Sequence, residues 1–215
     1  AAQARWKPRE EKGEMTALGL DVARGGNDKT CAARRHGTWF DELVQAPGAV
    51  TKDGPTAAAF VAPLVRNGAY IAVDAIGIGS SALDFINGLG LPVCPVVGSE
   101  GSPGTDSSGT LRFKNRRAEM YWRLREALDP TNPKPIALPP DQELLGDLAA
   151  VRYKVVQMGK ALAGIQMRDK DEIREVLGRS PDKGDAVAMT FIDGLPAPRN
   201  ARNSYVEAEA PDWRM

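Results

Sequence analysis

Three aspartates stand where a charge is costly. Asp21 closes the apolar run of TALGLDVARGGNDKT, Asp74 closes that of AYIAVD, and Asp185 sits in SPDKGDAVAMTF beside Ala186, Val187, Ala188 and Met189. Strand alternation puts Ala17, Gly19, Asp21 and Ala23 on one face, opposite Leu18, Leu20 and Val22. The same count puts Tyr70, Ala72 and Asp74 opposite Ile71 and Val73. A carboxylate ending a buried strand must be compensated, and open α/β sheets bind ligands at the carboxyl ends of their strands. The competing reading is local, because Asp is common in turns: Asp21 could close the ARGGND turn and Asp74 could cap the following helix. Asp182 lies in a first helical turn, where the helix dipole favours negative charge, on the face of Asp185 three residues on. Gly184 between them leaves room for a sheet, a metal or a substrate backbone.

If Asp21, Asp74 and Asp185 converge, each raises the others' pKa, and the fold suffers unless a cation binds. Oxygen donors without imidazole or thiolate suit Mg²⁺ or Mn²⁺. Two such ions can hold an attacking water and a leaving oxygen on either side of a phosphodiester, so the chemistry indicated is phosphoryl hydrolysis. The one histidine, His36, reads as a turn residue in RRHGTW, which argues against a Ser/His/Asp hydrolase. Cys31 and Cys94 lack metal-ligand spacing, and one histidine cannot complete a Cys/His zinc site.

The elements that must position these acids follow from the patterning. With 215 residues, 42% hydrophobic, the chain is expected to build one core. Lys plus Arg and Asp plus Glu each number 28, so any anion-binding surface is local. No apolar stretch approaches the roughly 20 residues of a membrane helix, and a reducing cytosolic setting is expected. Residues 1–15 and 196–215, polar and rich in charge and proline, read as an N-terminal linker and a C-terminal tail around a domain spanning 16–195. Thr16 to Ala23, Thr30 to Arg35 and Thr38 to Gln45 form a three-stranded meander. A helix from Gly54 interrupted at Pro63, a strand Ala69 to Asp74, a helix Ser80 to Asn87 and a strand Leu91 to Val97 add a βαβ unit. Gly98 to Thr110 reads as a flexible loop. Helices follow at Phe113 to Leu128 and Asp141 to Ala150, a hairpin at Val151 to Met167 around Gly159-Lys160, a helix Asp169 to Leu177, and a last helix with Ser180 as N-cap. The fold class is α/β, a mixed sheet of three antiparallel strands plus parallel strands, flanked by helices, with an added hairpin.

Arg152, Lys154, Lys160, Lys170 and Lys183 are interspersed with the third acidic region and are the favoured DNA-phosphate contacts. The basic helix carrying Arg112, Lys114, Arg116, Arg117, Arg123 and Arg125 reads equally well as a solvated face. Lys170 has a surface ion pair as its alternative. Trp39, Trp122 and Phe113 read as packing residues.

In order, GLDVARGGNDKT, YIAVDAIGIGSSALDFI, FKNRRAEMYWRLREAL and SPDKGDAVAMTF resemble the nuclease domain of the large terminase subunits of tailed bacteriophages. The resemblance covers nearly all of Thr16 to Gly194. It implies a ribonuclease H-like fold, two Mg²⁺ or Mn²⁺ ions, and cleavage of double-stranded DNA concatemers during genome packaging. Asp21, Asp74 and Asp185 fall on that family's acids, Asp182 on an auxiliary position, Lys170 on a lysine near the metals, and Val151 to Met167 on a hairpin near the active site. It also implies an ATPase motor domain, a small terminase subunit and a portal as partners, the cytoplasm of a bacterial host as the setting, and a monomer when isolated. The sequence has no GxxxxGK[ST] phosphate loop, so it reads as the nuclease half alone. The alternatives are another ribonuclease H-like nuclease such as a Holliday-junction resolvase, a sugar-kinase or actin-like nucleotide binder, and a non-catalytic docking module with structural acids.

Overall fold

The computed structural model describes residues 1–23, 25, 28–159 and 162–195. In chain order the elements are α1 (Ala2–Arg5), β1 (Ala17–Asp21), β2 (Lys29–His36), β3 (Trp39–Phe40), β4 (Val44–Pro47), α2 (Gly54–Val61) running into a 3-10 turn (Ala62–Leu64), β5 (Tyr70–Asp74), α3 (Ile78–Gly88) and β6 (Val93–Val96). There follow β7 (Arg112–Phe113), α4 (Arg116–Leu128), α5 (Gln142–Ala150), β8 (Tyr153–Met158), β9 (Leu162–Met167), α6 (Lys170–Leu177) and α7 (Asp182–Met189).

The central sheet runs β3-β2-β1-β5-β6, with β4 also paired to β2. β1 is antiparallel to β2 and parallel to β5, and β5 is parallel to β6. The mixed sheet expected from the sequence is therefore present. Its third antiparallel strand is split: β3 pairs with Arg35 and His36, while β4 pairs with Lys29 to Ala32. The β1–β5 register sets Leu20 beside Val73, so Asp21 and Asp74 end adjacent parallel strands at the same level. A second sheet, β7-β9-β8, contains the expected hairpin and a two-residue strand too short to show a period in sequence.

The two faces of the sheet bury different partners. Leu18, Leu20, Ile71 and Val73 pack with Ala57, Val61, Ala82 and Ile86 of α2 and α3. Cys31, Ala33 and Ala72 pack with Trp122 and Leu124 of α4, Leu144 of α5 and Ala186 to Met189 of α7. The small residues on the Asp21 face have a steric cause: a Cβ on Gly19 would lie 1.9 Å from the Ala186 carbonyl oxygen. Here α7 crosses β1 backbone to backbone, which only glycine permits. Asp53 caps α2 through a reciprocal capping box with Thr56, and Pro63 turns the chain out of α2 rather than kinking a longer helix.

Three local expectations change. Pro181, not Ser180, occupies the N-cap of α7, and no side chain of its own caps the helix; the Ser180 hydroxyl instead accepts from Arg174 Nε at 3.1 Å. The Gly98–Thr110 segment is tied down, because Asp106 Oδ1 accepts from the amides of Thr110 and Leu111, and Ser102 Oγ donates to the buried Glu119 at 2.7 Å. Residues 1–15 lie against the domain: Gln3 Nε2 donates to the Asp141 carbonyl at 2.8 Å, Trp6 stacks on Trp39, and Trp6 Nε1 donates to the Phe40 carbonyl at 2.7 Å.

Candidate metal centre

Adjacent strands β1 and β5 deliver Asp21 and Asp74, and α7, lying over Gly19, delivers Asp182 and Asp185 from its first turn. The four acids are divided between two adjoining clefts that share Asp21 and Asp74. Asp21, Asp74, Ile76 and Lys170 line two adjoining clefts of about 170 and about 300 Å³, the first bounded also by Arg117, Met120 and Asp185, the second by Asp28, Arg174 and Asp182. At about 30 Å³ per water, the larger has room for a hydrated ion.

Each acid is held differently. Asp185 Oδ1 accepts from the Tyr121 hydroxyl at 2.6 Å, Lys170 Nζ stands 2.6 Å from Oδ2, and Arg117 lies 3.9 Å from Oδ1. Asp74 Oδ1 accepts from the Ile76 amide at 3.2 Å, and Asp182 Oδ2 from the Lys29 amide at 3.3 Å. Burial pushes the Asp21 carboxyl well above the ordinary aspartate range; Lys170 opposes this, and Asp185, Asp182 and Asp74 reinforce it. Burial also acts to raise Asp185, but Lys170 and Arg117, with the hydrogen bonds from Lys170 and Tyr121, outweigh it and hold that carboxyl below its usual value. Burial lifts Asp182 to about 6, eased by the Lys29 amide and reinforced by Asp28. For Lys170, burial favours the neutral amine, yet Asp185 and Asp21 win and raise its pKa.

Among the described residues, no three His, Cys, Asp or Glu side chains stand ready to enclose an ion; the Lys170 ammonium supplies the positive charge beside Asp185. The donor set still fits a hard divalent cation. It is all oxygen, its members raise one another's pKa, and Asp21 carries a desolvation penalty that a cation would relieve.

The basic residues divide. Lys170 lies in the cleft. Arg152 and Lys154 are exposed at the start of the hairpin, and Lys160 lies outside the described residues. Lys183 is buried, with Nζ 2.6 Å from Asp141 Oδ2 and 2.8 Å from Glu143 Oε2, which turns it away from any phosphate. On α4, Arg123 and Arg116 pair with Glu119, and Arg125 lies over the Trp122 and Tyr153 rings. Sequence reasoning passed over Asp28, Ile76, Arg117 as a cleft residue, and Tyr121. Asp28, inside a turn already explained by its glycines, offered no period, and Tyr121, within the helix expected over Phe113 to Leu128, carried no local signal of its own.

This sheet order, with acids at the ends of β1 and β5 and on the helix across β1, defines a ribonuclease H-like α/β fold. Among solved structures it is the fold of phage large-terminase nuclease domains. The nuclease domain of the large terminase subunit gp2 of bacterial virus Sf6 matches with TM-score 0.65 and 18% identity, over 88% of this chain and 91% of that one. A variant of that domain with manganese gives 0.63 and 17% over the same shares. The large terminase nuclease of thermophilic phage G20c with bound magnesium gives 0.52 and 16%, over 85% and 82%. No protein-family model and no curated protein sequence matches the chain.

Proposed function

We propose that this chain is the nuclease domain of a tailed-phage large terminase subunit, a divalent-metal-dependent endonuclease that cuts double-stranded DNA concatemers during genome packaging. The observation that carries the reading is that Asp21 and Asp74, at the ends of adjacent parallel strands, line two adjoining clefts, one with Asp185 and the other with Asp182. The likeness to the Sf6 and G20c domains, whose structures include manganese and magnesium, supports it.

Two Mg²⁺ or Mn²⁺ ions would supply the Lewis acidity and orient water and leaving oxygen. Asp21, Asp74 and Asp185, with Asp182 at the rim, would hold them. The Tyr121 hydroxyl fixes one oxygen of Asp185, leaving the Lys170 side free to exchange its partner. Lys170 and Arg117 keep Asp185 ionised before any ion arrives. Arg152 and Lys154, with Lys160, track the DNA backbone, so sequence preference is weak and salt dependence strong. Residues 16–195 form the nuclease unit, monomeric by itself, working in the host cytoplasm beside an ATPase motor domain, the small subunit and the portal. No helix among the described residues is long and apolar enough to cross a membrane.

The test is cleavage of supercoiled plasmid and of a four-way junction in Mn²⁺, Mg²⁺ or chelator, with Asp21→Asn, Asp74→Asn and Asp185→Asn in parallel. Nicking that requires the metal and falls at least about 100-fold in each variant is expected, since each removes an ion ligand. Cutting that survives chelation, or is undiminished in all three variants, sinks the reading; preference for the junction would move it to a resolvase.

A further inference from the structure

We propose that Asp147 is a positioning residue, a helix cap lent by α5 to α7, which fixes the first turn of α7 and thereby the spacing of Asp182 and Asp185. The inference rests on the metal-centre reading above.

A helix N-terminus needs acceptors for its first amides, normally from its own N-cap side chain. The N-cap of α7 is Pro181, which has none to offer, and the Ser180 hydroxyl is engaged with Arg174. The missing acceptor comes from another helix: Asp147 Oδ2 accepts from the Gly184 amide at 3.0 Å. Gly184 is the third residue of α7, where a helix's own cap ordinarily acts. Asp147 is fully buried, and its other oxygen lies 2.6 Å from Arg179 Nη2. Arg179 in turn donates to the Ser180 carbonyl at 2.8 Å and the Glu143 carbonyl at 3.2 Å, tying the approach to α7 onto α5.

The fit at 184 is tight. A Cβ there would stand 3.0 Å from the Asp147 Cβ and 3.5 Å from the Tyr121 hydroxyl. Gly184 thus lets α5 reach the helix between the two acids that α7 carries. A cap supplied by Asp182 itself would turn its carboxylate inward; the loan from α5 leaves Asp182 facing the cleft. Arg179 offsets part of the lent charge, although burial still raises the Asp147 carboxyl.

The capping function needs an oxygen acceptor, not a charge, which makes the role separable. The experiment compares Asp147→Ala, Asp147→Asn and Gly184→Ala in the full chain by two readouts: amide hydrogen exchange of residues 183–186 in metal-free protein, and Mn²⁺ binding by calorimetry without DNA. Asp147→Ala is expected to speed first-turn exchange and to weaken Mn²⁺ binding by about tenfold each, the equivalent of one lost cap. Asp147→Asn, which keeps an acceptor, should stay within about threefold on both. Unchanged exchange and binding in Asp147→Ala overturns the proposal, as does an Asp147→Asn variant equally impaired, because the effect would then lie in the Arg179 ion pair. If Asp147→Ala does not fold, Gly184→Ala decides: it keeps the carboxylate but pushes α5 away, and unaltered exchange in it overturns the proposal. Should the unmodified protein take up no Mn²⁺, the metal reading fails while the exchange comparison still judges the cap.

Discussion

Burial lifts Asp182 to about 6, and its unfolded value lies near 3.9. A carboxyl raised on folding stabilises the protein fully below the unfolded value, and that contribution is lost as pH rises through the folded one. Metal-free protein should therefore lose stability between about pH 4 and 7, and Asp21, shifted the same way, adds to the slope. Replacing Asp182 with Asn removes its share, on the order of 1–2 kcal/mol after partial exposure is allowed for. Thermal melts in chelator across that range check it; a variant profile parallel to the unmodified one contradicts the burial argument. The same residues explain which of the site's members sequence could reveal. Asp21, Asp74 and Asp185 interrupt apolar periods and announce themselves. Tyr121, Arg117 and Asp28 obey their local patterns, and only their bond, ion pair and charge effect on Asp185 and Asp182 give them meaning.

Among the elements, α7 matters most, and its seat is Gly19. A methyl at that position meets a backbone carbonyl at 1.9 Å, an atom with no rotamer to yield, so α7 must lift from β1. Gly19→Ala should cost more than about 2 kcal/mol in urea denaturation, well beyond an ordinary small-to-large change at a site that can relax. A cost under about 0.5 kcal/mol would mean that α7 does not ride on β1 as described. The alternation of TALGLDVA already separated the Gly19–Asp21 face from the leucines, and both core clusters follow it. The sequence could not say which helix lay over that face, because the pairing joins residues far apart in the chain. Short pieces escaped for another reason: β7 and the β3–β4 split are set by their partners β9 and β2, not by any period of their own.

At the scale of the molecule, the N-terminal segment behaves unlike its composition. Arg5 donates to the Ile136 carbonyl, Trp39 Nε1 to the Lys7 carbonyl, and Lys12 pairs with Asp41, so residues 1–15 strap the β3 edge to the chain before α5. Trp6→Ala removes the stack on Trp39 and the bond to Phe40, and should cost about 2 kcal/mol, less than a fully buried tryptophan because Trp6 is only partly buried. Equilibrium denaturation measures this; no change would mean that the segment adds nothing to the domain's stability. Polar, charged and proline-rich composition suggested a free linker, yet a few side chains with distant partners are enough to pin such a segment.

By itself the sequence determined the class of sheet, the two faces of β1 and β5, the hairpin, and the acids whose charge could not be explained by burial alone. These are local properties: alternation, turn chemistry and the cost of a desolvated carboxylate act within a few residues of one another. Only the tertiary structure decided that Asp21 and Asp74 line the same clefts as Asp185 and Asp182, that Lys170 sits beside Asp185 while Lys183 is walled off by Asp141 and Glu143, and that Asp147 of α5 accepts from the Gly184 amide in α7. Those outcomes depend on which helix packs where. That choice is made by steric complementarity between residues as far apart as Gly19 and Ala186, and it leaves no periodic trace in the chain.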